Sequence, residues 1–342
     1  MKKTVLVTAI GSFAAEAVIA GCRREGLRVV GCDIYPAEWV ANSLDVDAFY
    51  RAPYAMDTRA YRKFLKDVCL REQVDFLLPL TDVEVDALQV WRLDAEADYA
   101  GLGAAVCISD ENAIALCRDK EKTEALLCAK RVCRTIPGRR FSEIGAEEFA
   151  RLKYPLVVKP RGGRSSQGLR IVEDKTQMAH AAEELGEEAE RYLVQPRIGG
   201  SVITVDVVRS PESKKCVCLP RRELLRTLNG AGTSVCVFRD EELERQCRGI
   251  AAALNVRGCV NMEFIEADAD GPDAGKRYFL ECNPRFSGGV AFSLKAGYDM
   301  VKNHLRCFMG EEPEPIDIAG RRYIARRYSE YCMREETDDE KA

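Results

Sequence analysis

Histidine is nearly absent: His180 and His304 are the only two in 342 residues. His180 reads as a solvated position on a polar helix, so a histidine base and a Ser/His/Asp mechanism are not expected. No apolar run is long enough to span a bilayer, and no secretory leader is legible. A net charge of -4 gives no global pull toward nucleic acid or an anionic membrane. Cysteine is the opposite case, with fifteen. Most lie in apolar helix and strand patterns, as Cys22, Cys69, Cys107, Cys117, Cys216 and Cys218 do, and none forms a pair of CxxC knuckles. They read as reduced, buried thiols of a cytoplasmic protein. Internal repeats, low-complexity linkers and a GKS or GKT phosphate loop are also missing.

Residues 4 to 106 alternate strand and helix. The strands are at Thr4–Thr8, Val29–Asp33, Phe76–Pro79 and Ala105–Ile108, and the helices at Phe13–Arg24, Tyr61–Arg71 and Val83–Leu93. That order predicts a parallel sheet flanked by helices. Gly11 stands where a dinucleotide fingerprint would need three glycines, so the reading is a Rossmann-like domain without NAD. Its helix N-terminus at Gly11 is open to a small anion. Ser109 and Asp119 are candidate N-caps. After Leu156 the pattern becomes a small α+β module. Its strands are at 156–160, 169–173, 192–196 and 202–208, with a helix at about 176–185. Longer strands follow at 215–220, 259–266 and 277–282, with a helix over Asp240–Leu254. Glu335 to Lys341 reads as a charged, disordered tail.

Three stretches carry chemistry. Val157-Val158-Lys159-Pro160 leads into Arg161-Gly162-Gly163-Arg164-Ser165-Ser166-Gln167-Gly168, a hairpin loop whose N–H groups can wrap phosphates. Tyr192 to Gly200 is a strand and turn. Asn261-Met262-Glu263-Phe264 and Glu281-Cys282-Asn283-Pro284-Arg285 end two strands joined by the turn Gly271–Gly275. On paired strands Glu263, Glu281 and Asn283 can share a face. Two adjacent carboxylates repel unless a cation lies between them, and an oxygen-only set selects a hard ion such as Mg²⁺.

Taken in order from Ser109 to Gly310, these motifs, with Arg118-Asp119-Lys120 and Val194 to Gly199, resemble the ATP-grasp superfamily. The ending, with Phe286-Ser287-Gly288-Gly289 and Lys295-Ala296-Gly297, is similar to the carbamoyl-phosphate synthase large chain and its carboxylate–amine ligase relatives. The resemblance implies an α/β and α+β architecture. A Rossmann-like pre-ATP-grasp domain at 1–108 is followed by an ATP-grasp domain at 109–321, with a small mobile lid at about 125–193. An extension and charged tail occupy 322–342.

The resemblance also implies roles. Lys120 and Lys159 would touch ATP phosphates. The loop, through Gly162, Gly163, Ser165, Ser166 and Gly168, would cover them. Gln195, Arg197 and Ile198 would meet adenine. Glu263, Glu281 and Asn283 would hold two magnesium ions, with Mn²⁺ as a substitute. Lys159, Arg226 and Arg285 would serve the transferred phosphoryl group, Arg285 lying next to the substrate carboxylate as well, and Arg222 and Arg226 would face the γ-phosphate. The implied partners are a small carboxylate and an amine; no nucleic acid or membrane partner is expected, and a homodimer stays open. Pro196 and Val202 replace acids that such relatives usually carry, and Asp206 stands as the substitute grip on ribose.

The implied reaction is ADP-forming carboxylate–amine ligation through an acyl phosphate. The rivals are an ATP-grasp phosphotransferase or kinase, a non-catalytic nucleotide sensor, and a nicotinamide oxidoreductase. The broken glycine pattern argues against the last.

Overall fold

The computed structural model describes residues 2–94, 100–163, 167–227, 230–270 and 273–335. Ser165, Ser166, the Gly271-Pro272 half of the long hairpin turn and the tail after Glu335 lie outside them.

The N-terminal part alternates as its sequence directs: β1 (Thr4–Val7), α1 (Ala15–Arg24), β2 (Arg28–Asp33), β3 (Ala48–Arg51), α2 (Thr58–Glu72), β4 (Phe76–Leu78), α3 (Asp82–Leu93) and β5 (Ala105–Val106). The sheet is wholly parallel, in the order β3-β2-β1-β4-β5. Strand β3 was not expected; its four residues Ala-Phe-Tyr-Arg are too short to show a period.

Two helices follow, α4 (Glu111–Arg118) and α5 (Lys120–Ala129). Asp110, not Ser109, caps α4, its carboxylate accepting from Ala113 N–H at 2.8 Å. The Ser109 hydroxyl instead accepts from Arg257 N–H at 3.0 Å. Asp119 caps α5 as expected.

A four-stranded antiparallel sheet comes next, ordered β6 (Arg139–Arg140), β9 (Tyr192–Pro196), β7 (Leu156–Pro160) and β8 (Arg170–Val172). Helix α6 (Lys175–Leu185) closes its core around Val158, Met178 and Ala181. The strand placed at 202–208 does not belong to this module. It is β10 (Gly200–Arg209), a central strand of a six-stranded antiparallel sheet. That sheet also holds β11 (Cys216–Arg226), β12 (Gly232–Val237), β13 (Gly258–Ala267), β14 (Arg277–Asn283) and β15 (Arg322–Ala325), in the order β14-β13-β10-β11-β12-β15. The stretch set apart at 322–342 therefore starts with an edge strand of this sheet.

One face of the six-stranded sheet, through Ile203, Val205, Val207, Val260, Met262 and Phe264, packs on α7 (Glu241–Ala253) and on α4 and α5. The opposite face packs at one end on α8 (Val290–Lys295), α9 (Met300–Phe308) and α1, so the N-terminal sheet and the six-stranded sheet share one apolar core. His304 lies inside that core between Phe286 and Phe308, accepting from Cys259 N–H. Burial pushes its pKa down to about 3, which keeps it neutral. His180 is exposed beside Glu184. All fifteen cysteines are free thiols, most of them buried. No helix among the described residues is long and apolar enough to cross a membrane.

Phe264, fully buried, meets Phe279 edge-on with ring centroids 5.6 Å apart. Phe264→Ala should cost about 3–5 kcal/mol through lost burial and the cavity left behind. Chemical denaturation would measure it; a loss below 1 kcal/mol would mean the core collapses around the gap.

Candidate active site

The uncovered part of the six-stranded sheet's inner face carries polar side chains from four neighbouring strands. Residues alternate between faces, so Asp206 and Thr204 on β10 align with Arg221 and Glu223 on β11, Asn261 and Glu263 on β13, and Glu281 and Asn283 on β14. Register makes the pairs explicit: Glu263 lies opposite Glu281, Asn261 opposite Asn283, and Thr204 between Arg221 and Glu263. A bulge follows, since Phe264 pairs with Phe279 and Leu280 is skipped. Phe279 is thereby turned into the core, while Leu280 joins Glu281 on the inner side.

Two cavities meet at the carboxylate pair. The first, of about 170 Å³, lies between the two antiparallel sheets. Ile136, Val157, Leu169, Ile198, Ile265 and Leu280 form apolar walls; Lys120, Lys159, Glu263 and Glu281 form the polar end. The second, of about 420 Å³, lies between the six-stranded sheet and the N-terminal domain. Glu263, Glu281, Asn283, Arg226 and Arg285 line it, together with Phe13, Asp82, Glu223 and the turn Phe286–Gly289.

Basic side chains flank the carboxylates. Lys120 Nζ stands 3.6 Å from Glu281, and Arg226 stands 3.6 Å from Glu263. The Asn283 amide donates to Glu281 at 3.0 Å. Burial, with the Glu281 charge beside it, holds the Glu263 carboxyl above the ordinary carboxylate range. Lys159 is pushed down to about 8, mainly by burial and then by the neighbouring Lys120 charge. Two paired carboxylates and an amide, all oxygen donors, suit a hard divalent ion that keeps open positions for water or phosphate oxygens.

Several expected residues lie elsewhere. Gly162 faces a separate depression with Arg118, Arg161 and Tyr192. Gly168, at φ +74°, turns the loop against Pro160 and Tyr192 and does not line the first cavity; Gly163, at φ +144°, does. The Arg197 side chain pairs with exposed Glu173, and its N–H donates to the Pro155 carbonyl. Gln195 is buried against the cavity and donates to the Ile136 carbonyl at 2.7 Å. Arg222 points to the other face, where Glu266 and Ser201 hold it. Asp206 is unavailable to ribose. It is fully buried and bonded to Arg221 at 2.8 Å, Ser287 at 2.7 Å and Ser293 at 2.6 Å. The Gly11 anion site is also filled: its N–H donates to the Asp33 carboxylate at 2.8 Å.

Arg285 is anchored across the domain boundary. Its Nη2 and Nε meet Asp82 at 2.9 and 3.2 Å, and Arg118 holds the other Asp82 oxygen at 2.7 Å. Asp82 begins α3, directly after the capping-box residue Thr81, whose hydroxyl bonds to Glu84. It is buried, and its arginines hold its carboxyl below the usual range although burial opposes them. Arg221, Glu223 and Asn261 were missed. The last lies one strand period before Glu263, which is a readable signal. The choice of Arg221 over Arg222 needed the register.

A family model described as "ATP-grasp domain" matches residues 117–289. The carbamoyl phosphate synthase large chain of Kocuria rhizophila is 27% identical over 305 residues, covering 84% of this chain and 26% of that protein. The chain thus spans about a quarter or less of the curated relatives it matches. Among solved structures, the biotin carboxylase domain dimer of Hydrogenobacter thermophilus 2-oxoglutarate carboxylase, with MgADP, ADP and bicarbonate, aligns at TM-score 0.75 and 20% identity. The alignment covers 94% of this chain and 73% of that one. N5-carboxyaminoimidazole synthetase from Staphylococcus aureus aligns at TM-score 0.70 and 16% identity, over 92% and 79% of the two chains.

Proposed function

The chain belongs to the ATP-grasp family, and we propose that it is an ADP-forming ligase joining a small carboxylate to an amine. The observation that carries this reading is the meeting of two cavities at Glu263 and Glu281. One is narrow, apolar-walled and lysine-ended, which suits a nucleotide. The other is larger and arginine-lined, which suits an acid.

Adenine enters between Val157, Ile198, Ile265 and Leu280, and the polyphosphate runs toward Lys120 and Lys159. Glu263, Glu281 and Asn283 would hold Mg²⁺, which would supply positive charge to neutralise the phosphate oxygens. The four-stranded sheet serves as the lid over the nucleotide. Arg226 and Arg285 orient the acid, Arg285 pre-set by Asp82. The carboxylate oxygen attacks the γ-phosphorus, and ADP leaves with the electrons of the broken P–O bond. The amine nitrogen then attacks the carbonyl carbon. The C–O bond to phosphate breaks, phosphate departs and the nitrogen loses a proton. The protein contributes positioning and charge neutralisation, which phosphoryl transfer chiefly needs. Water exclusion protects the acyl phosphate.

The test is phosphate release with Mg²⁺ and ATP across paired acids and amines. Release that requires both partners is expected. Release with acid alone, leaving a stable phosphorylated product, would make the protein a phosphotransferase. Nucleotide binding without release would make it a sensor.

A further inference from the structure

The turn Phe286–Gly289 forms one wall of the second cavity, and two arginines grip it. The first grip comes from the sheet. Arg221 Nη2 donates to the Ser287 hydroxyl at 3.1 Å, and that hydroxyl donates to Asp206 at 2.7 Å. Arg221 stands so close that a Cβ at Gly289 would lie 2.8 Å from its Nη2.

The second grip comes from the C-terminal strand. Arg326 follows β15 and extends its pairing, its N–H donating to the Thr233 carbonyl at 2.8 Å. Its Nη2 donates to the Gly288 carbonyl at 2.6 Å. Its guanidinium lies 5.2 Å from the ring centroids of Phe13, just before α1, and of Phe292 on α8. A cation over aromatic faces with a carbonyl at its edge is a directional contact, because the guanidinium is planar and its donors are fixed. At the other end of β15, Arg322 donates to the carbonyl of Ala296, which ends α8. The strand thus holds α8 just before its start and at its end. The turn in its place holds Arg285, whose Nη1 donates to the Phe286 carbonyl at 3.1 Å. Arg285 therefore has two anchors, Asp82 for Nε and Nη2 and the turn for Nη1. Arg326 is not among the residues that line the cavity.

Resting on the ligase reading above, we propose that Arg326 is a positioning residue for the acid: through the Gly288 carbonyl it sets the Phe286–Gly289 turn, and through the turn it sets Arg285 against the substrate carboxylate. It takes no part in bond making. A small misplacement of an orienting group is enough to cost about 100-fold in rate.

The test compares Arg326→Ala with wild type in the full chain. Hydroxylamine serves as the amine. The carboxylate attacks ATP to give the acyl phosphate and ADP; hydroxylamine nitrogen attacks the carbonyl, phosphate leaves, the nitrogen loses a proton and a hydroxamate is formed. With the acid that supports this best, the variant should lose about 10- to 100-fold in kcat/KM for the acid, mostly in KM. KM for MgATP should stay within about threefold, since the nucleotide cavity is not touched. Guanidinium ion added at concentrations too low to denature should restore part of the loss in the variant and do nothing for wild type. Hydrogen exchange supplies a readout that needs no substrate. The amides of Ser287, Gly288 and Gly289 should exchange about tenfold faster in the variant, with those of β13 unchanged. Unchanged exchange in the turn with an unchanged acid KM overturns the proposal. So does a lower kcat with both KM values unchanged and no rescue, since a merely weakened fold lowers the active fraction and moves neither KM. Hydroxamate from no acid, with MgADP still bound, would instead remove the ligase reading, and the acid role of Arg326 with it, whatever the exchange shows.

Discussion

Glu281→Gln should lower Mg²⁺-dependent ATP turnover by about 1,000-fold or more, while the protein stays folded. The position decides the size of the effect. Glu281 lies opposite Glu263 at the junction of both cavities, so no other described carboxylate can take its place against the same cation. The stability argument runs the other way. In the free protein Glu281 is repelled by Glu263 and pairs with Lys120 only at 3.6 Å, in a site where its side chain is 26% exposed. Such a pair contributes little, and removing its charge relieves the repulsion that adds to burial in holding the Glu263 carboxyl up. Thermal melting should therefore show an unchanged or raised Tm beside the lost activity. ADP release measured across a range of Mg²⁺ concentrations decides the matter, and undiminished turnover would remove Glu281 from the metal set.

Local rules explain why so much of the fold was readable. Aspartates at 57, 110, 119, 174, 240 and 299 each accept from an N–H in the first turn of the following helix, and most such starts are visible as an Asp before an amphipathic run. The N-terminal strands are continuous apolar runs because both faces of a parallel sheet are covered. What stayed hidden depends on pairing. Whether Arg221 or Arg222 faces the cavity is fixed by the pairing of Thr204 with Arg221. The assignment of 200–209 to the large sheet depends on its neighbours, not on its composition. Glu263 and Glu281 were placed on one face by period alone, yet the bulge at Leu280 could not be read. It lets Phe279 enter the core without turning the carboxylate away. The arginine grip on Asp82 was invisible for the same reason: its partners lie 36 and 203 residues along the chain.

The second large effect is expected at Lys159, and its sign can be worked out in advance. Lysine ordinarily titrates near 10.5, and burial with Lys120 beside it brings Lys159 to about 8 in the free protein. A bound triphosphate supplies the negative charge that favours the ammonium, so binding raises this pKa again. Above pH 8, then, free protein has a neutral Lys159 and bound protein a charged one, and binding takes up a proton. Affinity should be level below pH 8 and fall by up to about tenfold per pH unit above it, toward the ordinary lysine value. Calorimetry in two buffers of different ionisation enthalpy at pH 8.5 should show the uptake directly. Lys159→Met should weaken ATP binding about 10- to 100-fold at pH 7, the loss of a charge-assisted contact to phosphate. It should also abolish the proton uptake and flatten the fall above pH 8. Folding gives an independent check. A lysine depressed on folding is a group whose charged form the native state disfavours, so the variant should melt no lower than the wild type at pH 7. Unchanged affinity in Lys159→Met would place the triphosphate elsewhere, and a lowered Tm would mean that the side chain holds the strand rather than the nucleotide.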